Sequence, residues 1–540
     1  IRDVERSRGL GDVYKRQLLI KNASFVSTMD KNENELRDVS IFCENGVIKE
    51  VGDCKNIVKN IDKVIDANDL IVIPGLINTH HHLFQNLTRV FKPAQNKPLF
   101  GWLTSLYPIW QNIIPSDIYI SSLIGISEMV LTGCTTTSDH LYLFPNGSKL
   151  EDQIEAAKLV GCRFHAARGF MSVGESKGGL PPDSLTENEN FIIKDCQRVV
   201  EEFNNPDPFS MLRVVLAPCS PFSVSENLMK ITAEMARSYN VTLHTHLAEN
   251  DEDIEYSMKH FNKSPGEYAK DLGWLGDDVW HAHCVKLSRS ESKLFSKTCT
   301  GIAHCPTSNM RLASGIAPVR DWIDLGVKVG LGVDGSSSND SGHLLAEARQ
   351  TMLLQRVKHG AESFSAREAL KIATKGGAET LCRRDIGEIS VGKAADFAIY
   401  DLNQIDMSGT LSDPIAALIF CGPIKTKYDG EITIAEMDND AHKMLLRGKG
   451  LDSKGKGNAE MTMNGSAVTR DEGTEVDFKM VVNIQGTLAQ FGSRLINDVS
   501  AQLMDQFVDN FKNLLSGAEV DNSLKAGSVM GSVVKGLFKK

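Results

Sequence analysis

The chain has 540 residues, too many for one ordinary domain, and 41% of them are hydrophobic, which is ample for a large core. Lysine and arginine number 59 against 69 acidic residues, a net charge of −10 with no long basic run in the body of the chain, so we expect no nucleic-acid partner. No apolar stretch reaches the roughly 18 residues that a membrane span needs.

The cysteines predict a reducing compartment. There are eleven of them, an odd number, and none forms a paired CxxC spacing. In a chain of this length that pattern is typical of reduced thiols. The N-terminus also lacks the continuous apolar segment of a signal peptide. We therefore expect a cytoplasmic protein.

Both ends of the chain differ in composition from its centre. Residues 1–17 are charged, aperiodic and poor in apolar side chains, and their DVYKRQ stretch resembles translated sequencing-adapter DNA. We interpret them as an artefact, with a disordered terminus as the alternative. At the other end, every Cys and Trp lies at or before Cys421, and residues 422–540 contain a single histidine, His442. This shift predicts that a different domain begins near residue 422.

Residues 18–72 have the pattern of short β-strands, with Asn45-Gly46 as a hairpin turn. From Ile73 onward, short apolar runs alternate with helical patterns, which indicates βαβ units and a parallel sheet. The runs LIVIPGLINTHHH, NVTLHTHLAE, DVWHAHCV, TGIAHCP and VKVGLGVDG each contain, at or near their end, a residue able to bind metal or transfer protons. The carboxyl ends of all strands meet at one face of a (β/α)₈ barrel, where catalysis occurs. We therefore predict such a barrel with these residues converging at its mouth.

An H-x-H sequence at the end of a strand places both histidines on one face, because strand side chains alternate. His80 and His82 would thus point into the barrel mouth. His246 from the fifth strand and Asp334 from the eighth complete a set of three nitrogens and one oxygen, which suits one Zn²⁺, with Fe²⁺ as the alternative. A lone histidine is more often structural, and a lone Asp-Gly is more often a turn. The joint pattern favours the metal site.

The motifs PGLINTHHH, HTHLAE, HAHCV, AHCPTSN and GVDGS, in this order, resemble the amidohydrolase superfamily. The similarity is greatest to its mononuclear aminohydrolases of purine-like and triazine-like rings. The resemblance implies a (β/α)₈ barrel over residues 74–383 and a small β-sandwich built from residues 18–73 and 384–423.

The resemblance also implies roles for individual residues. It makes His80, His82, His246 and Asp334 the metal ligands, with Asp334 also accepting a proton from the attacking water. Glu249 would be the proton shuttle, and His283 would contact the metal-bound water or the leaving-group side of the substrate. His304 would lie in the ligand shell or serve structure only.

Four further segments resemble 8-oxoguanine deaminases: HHHLFQNLTR, LFGWLTSLYPIW, TTTSDHLYLFP and RGFMSVGESKGGLPPDS. This narrower resemblance implies conversion of 8-oxoguanine to urate and ammonia. Gln85 and Arg168 are the candidates for holding the purine, because an amide and a guanidinium can pair with ring edges and carbonyl oxygens. Trp102 would stack on the ring or belong to the core, and Glu175 would lie over the pocket or be solvated. The rivals are a guanine deaminase and a hydroxylated-triazine aminohydrolase.

After residue 423 the amidohydrolase pattern stops. Residues 424–517 combine a strand-rich stretch, ending near Gly486, with one amphipathic helix. The apolar residues of that helix are Leu488, Leu495, Val499, Leu503, Phe507, Phe511 and Leu514. This segment resembles part of the G subunit of carbon monoxide dehydrogenase, an α+β helix-grip fold whose members serve molybdenum hydroxylases and associate with membrane or quinone. Residues 518–540 are expected to be a flexible basic and apolar tail capable of weak membrane-surface contact.

Two origins explain the joined segments, a true gene fusion or a sequencing or assembly chimera. The competing functional hypothesis is a non-catalytic accessory protein that binds lipid or quinone. The full set of metal and proton-transfer residues favours an enzyme acting on a small purine-like molecule. We expect that enzyme to be a homo-oligomer assembled through its barrel.

Overall fold

A computed structural model of the chain describes residues 17–54, 61–421, 428–438, 443–452, 457–470 and 473–486. The chain divides into two compact units, one ending at residue 424 and the other beginning at residue 425. Residues 1–16, the amphipathic helix predicted after residue 486 and the C-terminal tail lie outside the described residues. Gln17, the last residue of the segment interpreted as an artefact, opens the first strand.

Seven short strands begin the first unit, as the sequence predicted. They are β1 (Gln17–Ala23), β2 (Phe25–Ser27), β3 (Glu35–Leu36), β4 (Val39–Glu44), β5 (Val47–Gly52), β6 (Lys63–Asp66) and β7 (Leu70–Pro74). Four of them form a sheet in the order β5-β4-β1-β6. β4 and β5 pair antiparallel around Asn45 and Gly46, whose φ angles of 53° and 75° are both positive, as the predicted hairpin turn requires.

The following strands close into a barrel. They are β8 (Leu76–Asn78), β9 (His81–His82), β10 (Cys134–Leu141), β11 (Arg163–Phe170), β12 (Leu212–Pro218), β13 (Thr242–Leu247), β14 (Val279–His283), β15 (Gly301–His304), β16 (Lys328–Leu331) and β17 (Asp334–Gly335). Eight of these pair in parallel in the order β8-β10-β11-β12-β13-β14-β15-β16 and return to β8. The predicted (β/α)₈ barrel is confirmed. β9 and β17 extend its mouth as a parallel pair that joins His81 to Asp334.

Helices connect the strands and cover the outside of the barrel. They are α1 (Leu99–Trp110), α2 (Pro115–Leu131), α3 (Leu150–Val160), α4 (Glu189–Phe203), α5 (Glu226–Tyr239), α6 (Asp251–Phe261), α7 (Pro265–Asp271), α8 (Arg289–Thr298), α9 (Pro306–Arg311), α10 (Val319–Asp324), α11 (Ser336–Asn339), α12 (Leu344–His359), α13 (Ala366–Ala373) and α14 (Lys375–Thr380). Short 3₁₀ turns lie at Leu83–Thr88, Lys92–Ala94, Pro145–Gly147, Glu175–Lys177, Asp183–Leu185 and Ile405–Met407.

Two apolar layers show which way the barrel side chains point. Ala167, Val215 and Trp280 belong to a cluster inside the barrel. Their strand neighbours Phe164 and Leu216 belong to the larger cluster shared with the helices. This alternation is that of strands buried on both faces, and it decides which residues can reach the mouth.

The chain then returns to the sandwich through β18 (Phe397–Asp401), which completes a second sheet in the order β18-β7-β2-β3. The sheets pack through residues such as Ile20 and Ile41 from one and Val26 and Val72 from the other. The rest of the segment that was predicted to form the sandwich, as far as the structure describes it, contains helical elements instead of strands. It includes α15 (Pro414–Phe420), whose consecutive apolar residues Ile415 to Ile419 join the barrel-side cluster.

The second unit contains a four-stranded antiparallel meander, in line with the strand-rich pattern of its sequence. Its strands are β19 (Tyr428–Asp438), β20 (Lys443–Asp452), β21 (Gly457–Arg470) and β22 (Gly473–Gly486). Each strand pairs with the next along the chain. Across the part of the chain that the structure describes, no helix is both long and apolar enough to cross a membrane.

An ion pair at the base of the barrel makes stability depend on pH. Asp385 accepts hydrogen bonds from Arg383 at 2.7 and 2.8 Å and from the Phe209 N–H at 2.7 Å. Burial alone would raise the pKa of Asp385, but the guanidinium and the N–H hold it well below its usual value. Its contribution is therefore fully present above the unfolded-state pKa of about 3.9, and it is lost as the pH falls from there towards the lower folded-state pKa.

We expect Asp385→Asn to unfold with about 2 kcal/mol less free energy at pH 7, because charge-assisted hydrogen bonds are lost. The difference from the parent should shrink below about pH 4, as measured by chemical unfolding across pH. Asp406→Asn, at an exposed carboxylate, is the matched control. A pH-independent difference would contradict this assignment.

Candidate metal centre and active site

The predicted ligands converge at the carboxyl ends of the barrel strands. His80 precedes β9 and His82 ends it, His246 lies near the end of β13, and Asp334 begins β17. Asp334 Oδ1 lies 3.2 Å from His80 Nε2 and 3.3 Å from His82 Nε2. The Nε2 atoms of His82 and His246 are 3.0 Å apart. Ligands about 2.0–2.1 Å from a tetrahedral Zn²⁺ are separated by about 3.3 Å, so these distances fit a tetrahedral site.

Backbone carbonyls fix the tautomers of two of these histidines. His82 Nδ1 lies 2.7 Å from the His140 carbonyl oxygen, and His246 Nδ1 lies 2.6 Å from the Cys219 carbonyl oxygen. A carbonyl oxygen only accepts, so each Nδ1 carries the proton and donates it. Each Nε2 is left with a lone pair that points into the centre.

A relay of two histidines fixes the tautomer of His80. His244 Nδ1 lies 3.0 Å from the Trp280 carbonyl oxygen and must donate to it, so His244 Nε2 is an acceptor. That Nε2 lies 2.7 Å from His80 Nδ1, which therefore donates. His80 Nε2 keeps its lone pair and, although buried, finds no hydrogen-bond partner among the described residues.

These assignments leave unprotonated nitrogens facing one another. Burial lowers the pKa of His82 and lowers that of His246 to about 3, so protonation does not supply the positive charge between them. Three lone pairs and one carboxylate therefore converge, and this donor set fits a divalent cation such as Zn²⁺.

Glu249 and His283 lie on the open side of this cluster. His283 Nε2 is 3.6 Å from Glu249 Oε2 and 3.8 Å from Asp334 Oδ2. His283 Nδ1 lies 2.8 Å from the Asn309 amide oxygen, to which it donates, so its Nε2 also keeps a lone pair. Glu249 is 3% exposed, and its Oε1 has no hydrogen-bond partner within the described part of the chain. Burial, followed by the charges of Asp334 and Asp253, raises its pKa well above the usual value.

The backbone is strained where it presents two of these side chains. His283 and Asp334 have φ angles of 67° and 59°, in the left-handed region that few non-glycine residues adopt. Such conformations persist only where the surrounding structure imposes them. Here hydrogen bonds hold both residues, from Ser308 Oγ to Asp334 Oδ2 at 2.6 Å and between His283 and Asn309.

A narrow cavity of about 40 Å³ opens beside the cluster. Its walls are mainly apolar, and its lining residues are His82, Gln85, Leu99, Trp102, Leu103, Tyr142, Cys219, Ser220, Phe222, His246, Glu249, His283, Leu312 and Asp334. Apolar walls with a few directed polar groups are typical of sites for flat organic molecules.

The structure brings Gln85 and Trp102 to this cavity, as the sequence predicted for substrate contacts. Gln85 is 1% exposed, and its amide oxygen has no hydrogen-bond partner among the residues described. A Cβ at Gly335 would overlap the Gln85 amide, so that position leaves room only for glycine. The Trp102 indole N–H donates to the Ser337 carbonyl at 3.3 Å, and its ring packs on Trp110. Trp102 thus belongs to the cavity wall and to the core.

Arg168 does not reach the cavity, so the expectation that it holds the purine is corrected. Its guanidinium donates to Glu187 at 2.8 and 3.0 Å and to Asp195 at 2.7 Å, and it covers the ring of Phe144. The reason is strand alternation, since Arg168 shares its face of β11 with Phe164 and points outward to the helices.

His304 and Glu175 also lie away from the cavity lining. His304 is buried with its ring edge-on to Trp322, which agrees with the structural alternative weighed for it. Glu175 is exposed in a 3₁₀ turn, which agrees with the solvated alternative.

Several residues of the site were missed in the sequence. His244 stands two residues before His246, so the alternation argument used for His80 and His82 would have placed it on the same face. Ser308 and Asn309 belong to the quoted AHCPTSN motif, but their side-chain partners come from distant strands. His140 is the last polar residue of β10, in the polar run TTTSDH, and no H-x-H spacing marks it as a metal residue.

A larger cavity, of about 770 Å³, lies away from this chemistry, between β2 and β3 of the sandwich and the barrel elements around β16. Its charged groups neutralise one another, since Arg367 pairs with Glu35 and Lys371 pairs with Glu33. The small cavity beside the histidine and aspartate cluster at the barrel mouth is therefore the candidate active site.

Two family profiles match segments of the chain. The Amidohydrolase family profile matches residues 71–438, and the profile of the carbon monoxide dehydrogenase G subunit (CoxG) matches residues 414–516. An 8-oxoguanine deaminase from Pseudomonas aeruginosa is 42% identical over 358 residues, which cover 66% of this chain and 80% of the relative. A hydroxydechloroatrazine ethylaminohydrolase from Pseudomonas sp. (strain ADP) is 36% identical over 382 residues, covering 68% of this chain and 79% of the relative.

A solved structure has the same architecture. The atrazine chlorohydrolase TrzN from Arthrobacter aurescens TC1, complexed with zinc, superposes with a TM-score of 0.71 and 34% sequence identity. The match covers 75% of this chain and 91% of that protein.

Because a bound cation separates the facing lone pairs, we expect its removal to destabilise the protein. Dialysis against a metal chelator should lower the unfolding temperature, and Zn²⁺ should restore it. At a free concentration of 100 times the dissociation constant, a bound ion stabilises a fold by about 2.7 kcal/mol. Thermal unfolding with parallel metal analysis measures the effect. An unchanged transition after proven removal of the metal would contradict this account.

Proposed function

Because the chain belongs to the amidohydrolase family, whose profile spans most of its length, we propose that it is a metal-dependent deaminase of a purine-like ring. We further propose that 8-oxoguanine is the substrate, and that water replaces its exocyclic amino group to give urate and ammonia. The observation that carries the deaminase assignment is the buried Glu249 carboxyl at the open side of the His and Asp cluster, whose Oε1 has no partner among the described residues.

His80, His82, His246 and Asp334 are the residues that would hold the cation, most simply one Zn²⁺. When bound, such an ion lowers the pKa of water towards 7 and makes hydroxide available. Asp334 Oδ2, which accepts the Ser308 hydroxyl at 2.6 Å, faces His283 and is placed to take the proton of the attacking water.

Glu249 would protonate the ring nitrogen next to the carbon that is attacked. Its raised pKa favours the protonated carboxyl, the form that can donate a proton. Asp253 holds it in place, since the Glu249 N–H donates to Asp253 Oδ2 at 2.8 Å. His283, fixed by Asn309, presents the lone pair of its Nε2 and would accept a hydrogen bond from the attacking water or from the leaving amino group.

Substrate recognition would rest on the few polar groups of the cavity. The Gln85 amide oxygen, which lacks a partner in the described part of the chain, would accept a hydrogen bond from a ring N–H. Trp102 and Phe222 both line the cavity and would supply flat apolar surface for the ring. The choice of 8-oxoguanine is supported by 42% identity to a deaminase of that name.

A hydroxylated triazine is the second candidate, favoured by the 36% identity to an ethylaminohydrolase of hydroxydechloroatrazine. Guanine is the third, and both would use the same metal residues. The hypothesis of a non-catalytic accessory protein rests on the CoxG match at residues 414–516. It predicts no turnover of any ring. Cytoplasmic localisation, a homo-oligomer and membrane-surface contact of the tail stay predictions.

We expect Glu249→Gln to keep its metal and its fold but to lose activity by about 100- to 10,000-fold, because general acid–base catalysis contributes that much. Metal analysis and steady-state ammonia release give the two readouts. Glu255→Gln, an exposed carboxylate on the neighbouring helix, is the matched control. Full activity in Glu249→Gln would refute the proton-shuttle role.

Steady-state kinetics on 8-oxoguanine, guanine and a hydroxytriazine would test the substrate. We expect the highest kcat/KM for 8-oxoguanine, with urate and ammonia formed in equal amounts. Residues 18–423 should be assayed beside the full chain, to show what the second unit contributes. A higher kcat/KM for either rival would overturn the substrate assignment, and no amine release from any ring would overturn the enzyme assignment.

A further inference from the structure

We propose that His140 is an additional metal ligand, at an inner position of the centre formed by four histidines. One ring nitrogen from each of His80, His82, His140 and His246 lies within 4.8 Å of the others, and all four side chains are buried. A second set, His80, His246, His283 and Asp334, meets the same limit and shares two members with the first. The two sets share His80 and His246, so their donor atoms lie together at one centre.

The hydrogen bonding of His140 leaves one nitrogen available. Its Nε2 lies 2.7 Å from the Ala217 carbonyl oxygen and must donate to it. The lone pair is therefore on Nδ1, which is buried and has no hydrogen-bond partner among the described residues. An unpaired buried acceptor is costly, and a cation among the neighbouring histidines would satisfy it.

Packing holds the His140 ring against the other histidines of the centre. It stacks on His246 with centroids 4.9 Å apart and lies 5.9 Å, edge-on, from His80. Gly169 on β11 makes room for it, since a Cβ there would come within 2.8 Å of His140 Cδ2. The backbone of the same residue also orients His82, through the carbonyl that accepts the His82 Nδ1 proton.

The two sets of candidate ligands differ in chemistry. The set that contains His140 consists of four neutral imidazoles, and this all-nitrogen set suits Zn²⁺ and other late first-row metals. The other set contains the carboxylate of Asp334. A nitrogen ligand on the closed side of the centre would retain the ion while Asp334, on the open side, exchanges protons. We therefore expect His140 to contribute to metal affinity and to ligand count, independently of which ring the enzyme uses.

His140→Gln and His140→Phe test this inference. Gln can keep a hydrogen bond to the Ala217 carbonyl through its amide N–H, but neither variant supplies an imidazole lone pair. We expect both to bind Zn²⁺ more than about 100-fold more weakly in chelator competition, because a loss of about 10- to 100-fold is usual for residues that only orient the ligands of a metal site. The visible absorption of the Co²⁺-substituted protein should change as well.

The matched control is His281→Phe. His281 is also fully buried on a barrel strand, and its Nε2 lies 2.9 Å from the Trp274 carbonyl. Its Nδ1 has no hydrogen-bond partner among the described residues, but His281 belongs to neither histidine cluster. Its loss should leave Zn²⁺ affinity and the Co²⁺ spectrum unchanged.

X-ray absorption at the zinc edge supplies a readout that does not depend on activity. The count of imidazoles on the ion should fall by one from the parent to His140→Gln. Equal counts, or parent-like affinity and Co²⁺ spectrum in His140→Gln, would overturn the proposal and leave His140 a structural residue. Because metal binding alone is measured, failure here is distinguishable from failure of the deaminase assignment.

Discussion

Two imidazole nitrogens without protons face each other 3.0 Å apart at the barrel mouth, and the rest of the site depends on what separates them. Carbonyl oxygens at His140 and Cys219 impose this arrangement by taking the protons of the opposite ring nitrogens. Burial prevents a proton from relieving the repulsion. A divalent cation relieves it, so the barrel holds a preorganised site whose tautomers are chosen by its own backbone.

Strand alternation decides which residues join that site. His80 and His82 point into the mouth because they stand two apart, and the same rule places His244 beneath His80 as a hydrogen-bond relay. The rule also removes Arg168, whose position on β11 directs its guanidinium outward to Glu187 and Asp195. One geometric property of β-strands thus directs the histidines into the metal centre and turns Arg168 away from the cavity.

The sequence predicted the features in which residues of distinctive chemistry recur at the regular spacing of strands and turns. The barrel, the hairpin at Asn45-Gly46 and the convergence of His80, His82, His246 and Asp334 follow from motifs that recur at strand ends. Hydrogen bonds between residues far apart in the sequence were not predictable, because only tertiary packing brings such residues together. The hydrogen bond from Ser308 to Asp334 is an example. The orientation of Arg168 was missed because its motif resembled a substrate-binding segment, while its partners lie on the outer helices. The helix α15 was missed because its seven residues lie inside a segment assigned to the sandwich.

The central claim is that one cation occupies the space between these lone pairs, and anomalous diffraction at the zinc edge tests it most directly. A crystal of the Zn²⁺-loaded protein should give one strong peak about 2.0–2.1 Å from the Nε2 atoms of His80, His82 and His246, with Asp334 also coordinated. No peak there, in a crystal whose histidines keep the hydrogen bonds described, would contradict the account.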